Sequence, residues 1–155
     1  MFAICFLFIS VGSKYPFDTF KNMDWNSYCK KSVGCSPGAA NAVITNKLNN
    51  EKLLTIYDYG GWLIWNYPQI KPTIDGRMHL WRDEKGYSGF ENYYPIEQNT
   101  TGDIDNSPYN GVLTSKKKPI YFRLLELSKE GKWKALHIDK YGAVFVRNPL
   151  TTQYK

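Results

Sequence analysis

The sequence predicts an α/β fold, a small mixed sheet with flanking helices and a C-terminal antiparallel hairpin. Three observations lead there. Short apolar, β-branched runs recur at "KLLTIYD", "GVLTS", "WKALHID" and "GAVFVRN", each bounded by turn residues. Segments with helical spacing and helix-start signals lie between them. The chain has 155 residues, 16% of them aromatic and 22% charged, which suits one globular domain with a real core.

The elements follow in order. Residues 1–12, "MFAICFLFISVG", are uncharged and apolar. The run is shorter than the roughly 20 residues a membrane helix needs, and it lacks the basic start of an export signal. Three readings stay open: the outer end of a transmembrane helix, a weak signal, or a buried first strand. Residues 13–35 read as a connector with a helical turn around "FDTFKNMDW". Residues 36–149 form the α/β domain, and residues 150–155 a tail. In "SPGAANAVITNKLNNEK", Ser36 is a good N-cap and Pro37 sits at the first helical position. "KLLTIYD" then reads as a buried strand, "GGWLIWNYP" as a helix stopped before Pro68, and "KPTIDG" as a second strand whose leading proline marks an edge or a strand start. Residues 78–109 show no sustained period and read as an ordered loop with short helical turns. "GVLTS" is a strand, "KPIYFRLLELSKEGKW" a helix from Pro119 to Gly131, and the last two runs a hairpin with Gly142 near its turn.

Charge and motifs exclude several functions. The net charge of +6 is spread along the chain, with "KKK" at Lys116–Lys118 the densest run. No module interleaves basic and stacking residues, so no specific nucleic-acid partner is expected. Cys29 and Cys35 would close a short disulfide loop in an oxidising compartment and stay free thiols in the cytosol. Neither their spacing nor the two histidines form a metal-ligand pattern, so no metal and no cofactor is expected. "YDYGGW" has the glycines of a strand-to-helix turn but not the spacing of a phosphate loop. Trp62, Ile64 and Trp65 are expected to pack that helix on the sheet, with sugar stacking on Trp62 as the alternative.

"IDGRMHLWRDE" gathers the candidate ligand-binding residues Asp75, Arg77, His79 and Arg82 just beyond an expected strand end. Asp75 and His79 could exchange a proton, and Arg77 or Arg82 could hold a carboxylate or phosphate. The plainer alternative pairs Asp75 with Arg77 to fix the turn. Asn99-Thr100-Thr101 is formally a glycosylation sequon.

Tyr57, Tyr59, Gly60, Gly61, Trp62, Leu63, Ile64 and Trp65, followed by Pro68 and by Asp75, Gly76 and Arg77, carry a resemblance. Over residues 36–148 the chain resembles the C-terminal extracytoplasmic domain of polytopic membrane glycosyltransferases of the GT-C class, which are polyprenol-phosphate-sugar-dependent or oligosaccharyltransferase-like. "GKWKALHIDKYGAVFVRN" is similar to that domain's closing hairpin. The resemblance implies an extracytoplasmic, membrane-associated location. It also implies a partner in a membrane-embedded glycosyltransferase region, and contact with glycan or acceptor. It makes the apolar start the outer end of a last membrane helix. In that class the catalytic acidic residues lie near the first membrane helices, a region with no counterpart here. The chain is therefore expected to be noncatalytic by itself, a fragment or stand-alone relative of the accessory domain. A stand-alone exported binding module and a small enzyme using Asp75, Arg77 and His79 are the alternatives.

Overall fold

A computed structural model describes residues 25–50, 52–80 and 82–148. The apolar start, most of the connector and the tail lie outside the described residues. The structure is mixed α/β, with a four-stranded sheet in the order β1-β2-β4-β3. β1 (Leu53–Thr55) and β2 (Gly111–Ser115) run parallel. β3 (Trp133–Ile138) and β4 (Gly142–Arg147) form the C-terminal antiparallel pair, and β4 also pairs antiparallel with β2.

Strand alternation divides the core. Leu53, Leu113 and Val144 face one side, packed with Ala39, Ala40, Val43, Tyr59, Trp62 and Leu63. Leu54, Val112, Ala143 and Phe145 face the other, packed with Ile120, Tyr121, Leu124 and Leu127. Helices α1 (Trp25–Ser32), α2 (Pro37–Thr45) and α3 (Gly60–Asn66) cover the first face. Helices α4 (Gly89–Glu97) and α5 (Pro119–Lys129) cover the second. β1, β2 and most of β4 are buried on both faces, which explains their short continuous apolar runs, while β3 at the edge is mostly half-exposed.

Local chemistry sets the ends. Ser36 caps α2, its Oγ accepting from the Ala39 amide at 2.9 Å, with Pro37 in the first turn. α5 begins at Pro119 and closes where Gly131 takes φ +74° and the Lys132 amide reaches the Leu127 carbonyl. In the hairpin turn Asp139 Oδ1 accepts from the amides of Tyr141 and Gly142 at 2.8 and 2.9 Å.

Four expectations are corrected. "KPTIDG" forms no strand. Thr73 instead mimics one with its side chain, since the Thr55 amide donates to Thr73 Oγ1, the Thr73 amide to Thr55 Oγ1, and Thr73 Oγ1 to the Leu53 carbonyl. The expected loop at residues 78–109 contains α4, capped by Ser88 and carrying Pro95 within it. The packed domain starts earlier than residue 36, because Cys29, Val33 and Cys35 belong to the first core. Trp65 does not pack: it is 80% exposed, and Ile64 is exposed beside it. At 100° per residue Gly60, Trp62 and Leu63 share the inner face of α3, which leaves Gly61, Ile64 and Trp65 outside.

Candidate binding site

The "YDYGGW" glycines are not equivalent. A Cβ on Gly60 would lie 2.7 Å from Asp75 Cα and 2.8 Å from the Ile74 carbonyl, so only glycine lets the two segments touch. Gly61 has open space around it and no positive φ. The glycine requirement of the strand-to-helix turn therefore falls on Gly60. Tyr59 is fully buried and donates through its hydroxyl to the Gly34 carbonyl at 2.6 Å. Burial pushes its phenol well above the ordinary range. Gly34 lies between Cys29 and Cys35, whose sulfurs are joined in a disulfide with the Cα atoms 5.2 Å apart.

The polar cluster resolves into structural pairing. Asp75 is buried, and Arg77 takes both its oxygens: Nε donates to Oδ1 at 3.0 Å and Nη2 to Oδ2 at 2.6 Å. The Arg77 amide adds a third bond to Oδ1. The Arg77 fork holds the Asp75 carboxyl below its usual range against the opposing effect of burial. Arg82 binds the Gly86 carbonyl and Glu91 at the surface. The side chain of His79 lies outside the described residues, so the acid/base pair with Asp75 is not brought together by anything described. Trp62 is buried against Tyr59 and Tyr67 at ring distances of 5.3 and 5.1 Å, which removes it as a sugar platform. Pro68 and Gly76 are exposed in the turns beyond α3 and Asp75.

A second cluster brings Ser36, Asp139 and His137 together without the order that activates a serine. Ser36 Oγ donates to Asp139 Oδ2 at 2.5 Å, and His137 Nε2 meets the same oxygen at 3.3 Å. The carboxylate stands between hydroxyl and imidazole, so the serine proton goes to Asp139 and the imidazole does not take it. Burial raises the Asp139 pKa, but the Ser36 bond and the turn amides outweigh it and leave the carboxyl lowered. This cluster locks the hairpin turn to the α2 N-terminus.

The built cavity lies elsewhere, off the carboxyl ends of the parallel strands β1 and β2, where α/β sheets place ligands. It measures about 470 Å³, within the small-molecule range, and is lined by Tyr57, Asp58, Phe90, Tyr94, Glu97, Gln98 and Lys118. The turn after β1 supplies Tyr57 and Asp58; the loop after β2 supplies Lys118, the residue that precedes α5. α4 contributes Phe90, Tyr94 and Glu97, spaced four and three residues apart and therefore on one helix face. Phe90 stacks on Tyr94 at 5.2 Å and meets Tyr57 edge-on at 5.7 Å. The Tyr57 amide donates to Tyr93 Oη at 2.5 Å, which ties the β1 turn to α4.

Lys118 forms the polar floor. Its Nζ lies 2.8 Å from Asp58 Oδ2 and 2.5 Å from Glu97 Oε1. Glu97 is almost fully buried, while Asp58 remains a third exposed. Burial alone would lower the Lys118 pKa, but the two carboxylates outweigh it and raise it. Two carboxylates against one ammonium leave the pocket with a net negative charge. It therefore suits hydroxyl donors and apolar ring faces better than anions. The sequence carried a signal for this site in the spacing of Phe90, Tyr94 and Glu97, which Pro95 obscured.

Among the described residues no group of His, Cys, Asp and Glu could hold a metal ion, and no helix is long and apolar enough to cross a membrane. Comparisons with protein-family models, curated proteins and solved structures found no match.

Proposed function

We propose that the chain is a noncatalytic extracytoplasmic domain that works beside a membrane glycosyltransferase-like region and holds neutral glycan in the pocket beyond β1 and β2. The observation that carries this reading is the lining of that pocket. Tyr57, Phe90 and Tyr94 offer apolar ring surface, and Asp58 and Gln98 offer acceptors for sugar hydroxyls, with the buried Glu97 holding Lys118 beneath them. Two further features support it. Of the residues that carry the resemblance, Tyr57 lines the pocket, while Tyr59, Gly60, Trp62, Asp75 and Arg77 build the scaffold. The Cys29–Cys35 disulfide suits an oxidising compartment.

Calorimetric titration of the full chain with neutral oligosaccharides tests the reading. Saturable binding is expected, weakened about tenfold by Phe90→Ala or Tyr94→Ala and unchanged by Arg82→Ala. Absence of binding to every neutral glycan, or binding indifferent to Phe90 and Tyr94, contradicts it. The reading also expects a polytopic membrane segment encoded in the same frame or in a neighbouring gene.

A further inference from the structure

The helical layer formed by α1, α2 and α3 has a charge pattern unlike the rest of the molecule. Residues 25–50 and 59–73 carry four lysines, Lys30, Lys31, Lys47 and Lys71, and no aspartate or glutamate. Lys117 joins them from the turn after β2, its Nζ lying 3.4 Å from the Lys31 carbonyl and 3.2 Å from the Ser32 carbonyl. Three described carboxylates that border this layer are already engaged: Asp139 by Ser36 and the turn amides, Asp58 by Lys118, and Asp75 by Arg77. The same layer exposes Trp65, at 80%, with Ile64 next to it. α3 needs only its inner face for the core, so this indole is not a by-product of packing.

We propose that this layer docks on a bilayer surface rich in anionic headgroups, with the Trp65 indole seated at the headgroup level and the lysines facing the lipid charge. Tryptophan favours that boundary because its ring is apolar and its N–H polar. Each lysine near an anionic leaflet favours docking by about fivefold. The chain ahead of α1 points to the same occupant. α1, which belongs to this layer, begins at Trp25, and the sequence before it opens with the uncharged apolar run. The pocket beyond β1 and β2 plays no part, so the proposal stands whether or not glycan binds there.

The test uses the full chain and vesicles of phosphatidylcholine, with or without about one third phosphatidylglycerol. A brominated lipid at the headgroup boundary reads tryptophan quenching. Quenching is expected in the anionic vesicles, with a large share of it lost in Trp65→Phe, which keeps an apolar ring but removes the indole. Lys31→Glu with Lys71→Glu should lower the docked-to-undocked ratio by at least about 20-fold, and high salt should act in the same direction. Equal quenching in neutral vesicles, or quenching unchanged by Trp65→Phe, overturns the proposal even if the apolar run anchors the chain. Shielding of Trp65 from iodide by an added membrane-protein region, without lipid quenching, would also overturn it and give the face to a protein partner. All variants are surface changes, and unchanged melting temperatures would exclude unfolding as the cause.

Discussion

Adjacent glycines that respond oppositely to the same substitution would expose how the "YDYGGW" turn works. At Gly60 a methyl group would sit 2.7 Å from Asp75 Cα and Cβ and 2.8 Å from the Ile74 carbonyl. These are mostly backbone atoms, which cannot swing away as a side-chain tip can. Overpacking of this kind costs about 1–3 kcal/mol. The displaced segment also carries the Asp75–Arg77 fork, so the upper half of that range applies. The helix-propensity gain of about 1 kcal/mol from replacing glycine offsets part of it. Gly60→Ala should therefore destabilise by about 1–2 kcal/mol net, or about 2–8 °C in Tm for a chain of this size. At Gly61 the site is exposed, helical and free of neighbours within 4 Å. Gly61→Ala should stabilise by about 0.4–1 kcal/mol through the unfolded state. Urea denaturation of the two variants beside the parent gives both numbers. Shifts of the same sign, or a neutral Gly60→Ala, would refute the close approach of α3 to the Asp75 turn.

Other outcomes follow from the same structure. Cys29→Ala with Cys35→Ala opens a loop with a sequence separation of 6 and should cost about 2 kcal/mol by the chain-entropy estimate; thermal melts should show the parent falling to the variant's level in reductant. Lys118→Met leaves Glu97 buried without its cation and should cost about 2 kcal/mol, at or below the low end for buried pairs because Asp58 is partly solvated; chemical denaturation at neutral pH checks it. Asp139 has a folded pKa below its ordinary 3.8. Its contribution is present above that value and is lost as pH falls through the lowered one. Asp139→Asn should therefore flatten the acid limb of the stability profile below about pH 4 and leave the slope near neutrality unchanged.

Much of the sheet was legible because its signals are local. Ser36 and Pro37 announce α2, Pro119 and Gly131 bracket α5, and the alternation at Val112, Leu113, Val144 and Phe145 marks strands buried on both faces. Other elements depend on partners distant in sequence. Thr73 has the residue type of a strand, yet its hydroxyl replaces the ladder beside Thr55. α4 is hidden in the sequence because it carries Pro95, a residue that normally ends helices, and because Phe90 and Tyr94 line a pocket rather than a uniform apolar stripe. Trp62 and Trp65 look alike in the sequence; only the angle each makes with the sheet separates core from surface. The pocket itself joins residues 57–58, 90–98 and 118, and no short window contains that combination. In the polar cluster, by contrast, the two-residue spacing of Asp75 and Arg77 did suggest the turn-fixing pair that forms.

A neutral-glycan site is proposed for the cavity at the carboxyl ends of β1 and β2. Amide chemical-shift mapping of the labelled full chain, with a neutral oligosaccharide added stepwise, tests it most directly. Saturable shifts are expected at Tyr57, Asp58, Phe90, Tyr94, Gln98 and Lys118, with Asp75 and Arg77 unmoved. Shifts centred on the Asp75 turn, or none in the pocket at saturating sugar, would contradict it.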